Sequence, residues 1–144
     1  MADLLALFTQ AAKLLREATD ETMSRHGVRV GQHIVLSVLW EHDGLSPGEI
    51  ARKLGTSTPT IVNTATRMEE AGLIIREPDP VDARLVRLYL TEHGRSARAP
   101  VRAARAALER DVTATLTAAE RDCLHAALTK IIARVKEGEA GAGG

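Results

Sequence analysis

Aromatic residues are scarce. Phe8, Trp40 and Tyr89 are the only three among 144 residues, too few to build a stacking platform for single-stranded nucleic acid. Cys123 stands alone, so no internal disulfide can form, which agrees with a reducing, cytoplasmic setting. No apolar run approaches the ~18 to 20 residues that a membrane span requires. The N-terminus carries Asp3 and no basic region, which speaks against a secretory leader. An excess of either charge is missing too: 19 Lys and Arg balance 19 Asp and Glu. Net charge therefore points to no partner, and only its distribution can. Neither a glycine-rich phosphate loop nor a nucleophile elbow occurs. The histidines at 26, 33, 42, 93 and 125 include no i, i+4 pair, and there is no CxxC, so no metal site is expected. Cys123 and His125 sit about 200° apart on a helix and cannot share one ion. No cofactor and no enzymatic activity is expected. With 44% apolar and 26% charged residues, the composition is that of one soluble globular domain.

What is present reads as mostly helix with one interruption. From Asp3 to about Arg25, Leu4, Leu7, Phe8, Ala11, Leu15, Ala18 and Thr22 recur at spacings of three and four, a helical stripe. Gly27 and Gly31 bound a short loop. A second helix is expected from about Gln32 to His42, with Val35, Leu36, Leu39 and Trp40 inward, ending at Asp43-Gly44. Ser46-Pro47-Gly48-Glu49 has the capping-box pattern and opens a short helix that stops at Gly55. Another runs from near Ser57 to Gly72. The period then changes: Leu73 to Arg76 and Leu85 to Leu90 are β-prone, and Pro78 to Asp82 between them has turn chemistry, so a hairpin with a long loop is expected. Thr91 should cap a long helix to about Thr115, kinked at Pro100. Thr117 to Glu120 is a second capping box, and the last helix carries Leu124, Leu128, Ile131 and Val135 on one face. Residues 138–144 read as a disordered Gly/Ala tail. Cys123 is expected to be a buried or half-buried structural thiol, with a redox switch as the weaker reading because Arg121 and Asp122 offset each other beside it.

Two short helices joined through Gly55 and followed at once by a hairpin give the order of a winged helix-turn-helix. On the second of these helices Ile61, Ala65, Met68 and Gly72 share one face. Thr56, Thr60, Asn63 and Arg67 lie opposite, hydroxyls, an amide and a guanidinium able to contact phosphates and base edges in a major groove. From Arg52 to Arg67 there are three basic residues and no acid; Glu69 and Glu70 come at the far end. The candidate DNA-contacting set on and before this helix is Thr56, Ser57, Thr58, Thr60, Asn63, Thr64 and Arg67. A solvated helix face would look similar on its own.

These segments resemble the MarR family of bacterial transcription regulators. Gln32-His33-Ile34-Val35-Leu36 is similar to the family's Gln-x-x-x-Leu opening of its second helix, and Leu45 to Ala51 to its leader helix. Thr60-Ile61-Val62 and Met68 to Ile74 resemble the recognition helix and its exit. Asp79-Pro80-Val81-Asp82-Ala83-Arg84, then Val86 to Thr91 and Gly94, resembles the wing pattern D-x-R followed by L-T-x-x-G. Ala83 departs from the basic residue that many members carry between the wing Asp and Arg. The resemblance implies a mostly α (α+β) fold: a single domain over 1–137, a winged helix-turn-helix lobe over 32–94, and dimerisation helices over 1–30 and 95–137. It implies a homodimeric, sequence-specific regulator of transcription, a ligand-responsive repressor, on a pseudo-palindromic site in double-stranded DNA. Arg84 would enter a minor groove and Asp82 would orient it; a plain loop ion pair is the alternative. A small aromatic or anionic effector would sit between platform and lobe, against Arg16, His33, Leu36 and Trp40. Arg95, Arg98, Arg102 and Arg105 fall within about an 80° sector of the fifth helix. They could extend the positive surface toward phosphates or line a channel between subunit platforms; a solvated face, or cross-subunit pairing with acids such as Glu17, Glu21, Glu109 and Asp111, is the alternative. Two other readings stay open: a winged-helix protein-interaction module without DNA binding, favoured by zero net charge and Ala83, and a metal- or redox-operated variant of the regulator.

Overall fold

The computed structural model describes residues 2–143, which form seven helices and one two-stranded sheet. They are α1 (Leu4–Ser24), α2 (Val30–Glu41), α3 (Pro47–Leu54), α4 (Thr58–Glu70), β1 (Ile74–Pro78), β2 (Val86–Leu90), α5 (Glu92–Ser96), α6 (Arg98–Val112) and α7 (Ala118–Ala142). They divide into two compact units, Met1–Leu108 and Glu109–Gly144. The mostly helical fold with a winged hairpin is as the sequence predicts.

In the first unit α1, α3, α4 and α5 each start on a side-chain cap of the expected chemistry. Asp3 Oδ1 accepts from the Ala6 N–H at 2.7 Å, Ser46 Oγ from Glu49 at 3.2 Å and Ser57 Oγ from Thr60 at 3.3 Å, each satisfying an N–H that the helix cannot. Gly55 closes α3 at φ +66°, a conformation that costs a side chain its Cβ contacts. The core gathers Val35, Leu36 and Leu39 of α2, Ile50 of α3, Ile61, Ala65 and Met68 of α4, and Leu73, Ile74, Leu88 and Leu90 of the sheet. Strand β1 pairs antiparallel with β2, Ile74 opposite Leu90 and Arg76 opposite Leu88. Leu45 adds a single bridge to Leu88.

Four expectations need correction. Helix α2 begins at Val30, so Gly31 lies inside it. The early start has partners: Asp20 Oδ1 accepts from Val30 N–H at 3.0 Å and Gln32 Oε1 from Arg29 N–H at 3.1 Å. The long helix after Thr91 is two helices, interrupted at Ala97 and finished at Val112. Pro100 sits in the first turn of α6, where it lacks the N–H that would have reached back to Ser96 and continued α5. The Gly/Ala tail is helical as far as Ala142, because Glu139, Ala140 and Ala142 are helix formers and the two glycines cost only about 1 kcal/mol each. Gly144 lies outside the described residues. Cys123 is exposed, since α7 buries none of its residues.

In the second unit Thr117 and Glu120 form the predicted reciprocal cap: Thr117 N–H to Glu120 Oε1 at 3.0 Å, Glu120 N–H to Thr117 Oγ1 at 3.1 Å. The Thr117 N–H first, and then the Thr117 hydroxyl, hold the Glu120 carboxyl below its ordinary pKa. Leu124, Leu128, Ile131, Ile132 and Val135 are all exposed along α7.

Candidate nucleic-acid interface

Helix α4 is fixed by what it buries. Ile61, Ala65 and Met68 face the core, so the 100° step per residue turns Asn63 directly outward, with Thr60 and Arg67 on one flank and Thr66 on the other. Thr56, Ser57, Thr58, Thr60, Asn63 and Arg67 are exposed together. Two of their hydroxyls are engaged: Ser57 Oγ and Thr60 Oγ1 lie 2.7 Å apart, one donating to the other. Thr64 differs from the rest. It is half-buried and, with Arg67, borders a cleft of about 630 Å³ whose other walls include Arg16, Asp20, Arg29 and Gln32. Asp20 and Arg29 are paired there at 2.8 Å.

The wing carries a strongly exposed cation, Arg84. Arg84 meets Asp82 through two bonds, Nε to Oδ1 at 3.0 Å and Nη2 to Oδ2 at 3.1 Å, while its side chain stays 90% exposed. Asp82 also accepts from the Arg84 N–H at 3.1 Å. The guanidinium, then that N–H, hold the Asp82 carboxyl below its ordinary range.

Beneath this pair lies a polar network that the sequence reading missed. Asp79 is buried and accepts from the N–H groups of Val81 (2.8 Å) and Asp82 (2.9 Å) and from Arg87 Nε. These contacts, the Asp82 N–H first and Arg87 second, lower its carboxyl from 3.8 to about 2. Arg87 also donates to the Gly44 carbonyl at 2.8 Å and faces Glu49 at 3.8 Å. The wing is thereby bolted to the α2–α3 loop and the start of α3. Asp43 adds a further tie, accepting from Leu90 N–H at 2.9 Å. Asp79 before Pro80 is an Asx-turn signature, and Arg87 is the outward residue of an alternating strand; no spacing in the sequence pairs the two.

The four pocket candidates separate. Arg16 and His33 line an open groove of about 470 Å³, with Leu15, Val30, Ile34 and Arg105. Burial, and then the Arg105 guanidinium, hold His33 below the ordinary histidine pKa. Leu36 instead lies fully buried in the core, because it falls on the inner face of α2. Trp40 packs against that core, edge-on to His33 at 5.8 Å, and donates from Nε1 to the Gly94 carbonyl at 2.9 Å.

The arginine row is divided by the break at Ala97. Arg95 donates to Leu90 O at 3.0 Å and pairs with Glu92 at 3.2 Å; Arg98 donates to Trp40 O at 3.2 Å and pairs with Glu41 at 2.6 Å. Arg102 and Arg105 are exposed. Within the chain the acids engaged by this row are thus Glu92 and Glu41.

A recognition helix turned outward from a small core and flanked by a two-stranded wing defines the winged helix-turn-helix class. The MarR family profile matches residues 26–85. Over 127 residues, 88% of this chain, it is 32% identical to a protein of Thauera aromatica named for a regulatory role at the hcr operon, and the match covers 72% of that protein. It is 35% identical over 85 residues, 59% of this chain, to the HTH-type transcriptional regulator TtmR of Methylorubrum extorquens, but spans only 44% of that relative. The fold superposes on the crystal structure of a MepR–DNA complex from Staphylococcus aureus with a TM-score of 0.75 at 24% identity, covering 92% of this chain and 96% of that one. The chain belongs to the MarR family.

Proposed function

We propose that this chain is a homodimeric, ligand-responsive repressor that binds a pseudo-palindromic site in double-stranded DNA. The observation that carries the reading is the outward face of α4, where Thr60, Asn63 and Arg67 stand exposed opposite the buried Ile61, Ala65 and Met68. That face fits the major groove. Its amide and guanidinium can each make a bidentate contact to a base edge, worth about 1–3 kcal/mol of discrimination. Arg84 at the wing tip fits an adjacent minor groove, where a narrow A·T-rich segment concentrates negative potential. The MepR structure is a DNA complex of the same fold, which supports the reading by likeness.

Two copies are needed because two recognition helices in successive major grooves must stand near 34 Å apart. The exposed Leu4, Leu7 and Leu15 of α1, and separately the apolar row of α7, supply surfaces of the kind a two-fold partner covers. For the effector, the groove of Arg16, His33 and Arg105 has two guanidiniums and no carboxylate in its lining, which suits a small anion with an apolar body. Binding there would select among spacings of the two lobes.

Binding to duplex DNA as a function of salt tests the reading. Six phosphate contacts would cost about 10³-fold or more in affinity between 50 and 200 mM salt. Arg84→Ala should make that dependence shallower by about one unit and weaken preference for A·T-rich flanks. A flat salt response would instead assign the chain to the protein-interaction modules.

A further inference from the structure

Arg76 lies on β1, just after the recognition helix, and its side chain turns back onto that helix. Its Nη2 donates to the Val62 carbonyl at 3.2 Å and to Thr66 Oγ1. Thr66 Oγ1 in turn donates to the same carbonyl at 3.1 Å, which closes a small ring on the wing-side flank of α4. The guanidinium is held from that side alone, since its Nε is buried and has no partner. The other end of the arm is rigid: Arg76 pairs with Leu88 in the sheet, and Leu88 is fully buried.

This matters because of what the apolar contacts of α4 cannot do. Ile61, Ala65 and Met68 fix its distance from the core and limit its rotation by packing, but hydrophobic burial itself has no direction and does not select one roll angle as a hydrogen bond does. A roll of about 10–20° is enough to spoil a bidentate base contact. Directional hydrogen bonds from a fixed strand resist such a roll. We propose that Arg76, acting through Val62 and Thr66, is the positioning residue that sets the roll of α4, and with it where Asn63 and Arg67 meet base edges. The inference rests on the DNA-binding reading above.

Charge and positioning can be separated, because Thr66 is neutral. The probes are a duplex selected by the wild-type chain from a random library and a scrambled duplex of equal length; the readout is the ratio of the two affinities across a salt series. Thr66→Val removes the acceptor without changing charge. It should lower the ratio about tenfold, a coupling ordinary for residues in one hydrogen-bond network, and leave the salt slope and the scrambled affinity unchanged. Thr66→Ser keeps the acceptor and should stay within about twofold of wild type. Arg76→Gln should lower the ratio by a similar factor, and the two changes together should lower it no further than Arg76→Gln alone. A wild-type ratio in Thr66→Val overturns the proposal, as do losses that multiply in the double variant. An Arg76→Gln loss that is equal on the selected and scrambled duplexes also overturns it, because Arg76 would then be a phosphate contact, which carries no sequence information. If the wild-type chain enriches no sequence from the library, the DNA reading fails first and this proposal with it. Wild-type unfolding temperature in Thr66→Val, expected here, assigns its loss to positioning; a lowered one, with Thr66→Ser lowered in both ratio and temperature, overturns the proposal in favour of a folding role.

Discussion

The winged lobe and the terminal helices bury their apolar residues to very different degrees. In the lobe, Leu36, Ile50, Met68, Leu73 and Leu88 are completely covered, and the wing above them is tied down by Asp79 and Arg87. Along α1, Leu4, Leu7 and Leu15 are exposed and only Met23 is buried; along α7 nothing is. The lobe satisfies itself within one chain. The terminal helices carry amphipathic patterns with no matching burial in the chain, and such patterns persist in soluble proteins when a second surface covers them. On the proposed function, reading DNA would fall to the lobe and pairing copies to the terminal helices, and the two should fail separately.

The largest effect is expected where the lobe is tightest. A Cβ on Gly94 would stand 2.1 Å from the Leu73 carbonyl oxygen, backbone that has nowhere to go. Gly94→Ala should cost about 3 kcal/mol or more by chemical denaturation, while leaving the association of whatever folded protein is left unchanged. Ile131→Glu on α7 is the opposite case. It should weaken self-association by about 30-fold or more, the scale of one interface hot spot, as seen by sedimentation, with the lobe's near-native helix content retained. A dimer that tolerates it would erase the contrast.

A change confined to acid conditions should come from the wing. The Asp79 carboxyl is lowered from 3.8 to about 2 in the folded chain. Its folded pKa lies below its unfolded one, so its stabilisation is complete above about pH 4 and is lost as pH falls through about 2. Across that window the stability gap between the wild type and Asp79→Asn should close, read from unfolding midpoints at successive pH values. A gap that stays constant from pH 5 to 2 would mean that the network does not hold the carboxylate. The smallest effect is expected at Gly138, inside α7 with nothing within 4 Å of an added Cβ. Gly138→Ala should stabilise that helix by about 0.5–1 kcal/mol.

The same contrast explains what was legible in the sequence. Local rules gave the lobe: caps at Ser46, Ser57 and Thr91, the αL glycine at Gly55, and a change of period at Leu73 are all read over a few residues and all recur in the structure. Long-range polar ties left no such trace. Arg87 reaches Gly44 and Asp79, Arg76 reaches Thr66, and Trp40 reaches Gly94, contacts that depend on the tertiary approach of elements. The 100° projection placed Asn63 and Arg67 outward but could not show that Thr64 borders the cleft beside Arg16 and Asp20, since it sits near the edge of a buried sector whose width is set by neighbours. Leu36, read as inward, is buried as expected and so cannot also wall a pocket. Cys123 and the tail differ from expectation for separate reasons: α7 has no covered face in the chain, so the thiol is exposed, and the helix formers among the tail glycines carry the helix to Ala142.

One measurement tests the division of labour most directly: the stoichiometry and footprint of the complex with a duplex selected from a random library. Two chains per duplex, protecting two half-sites whose centres lie about one helical turn apart, are expected, and Ile131→Glu should weaken binding to the full site far more than to an isolated half-site. A single chain protecting one continuous site, with Ile131→Glu binding as tightly as wild type, would contradict it.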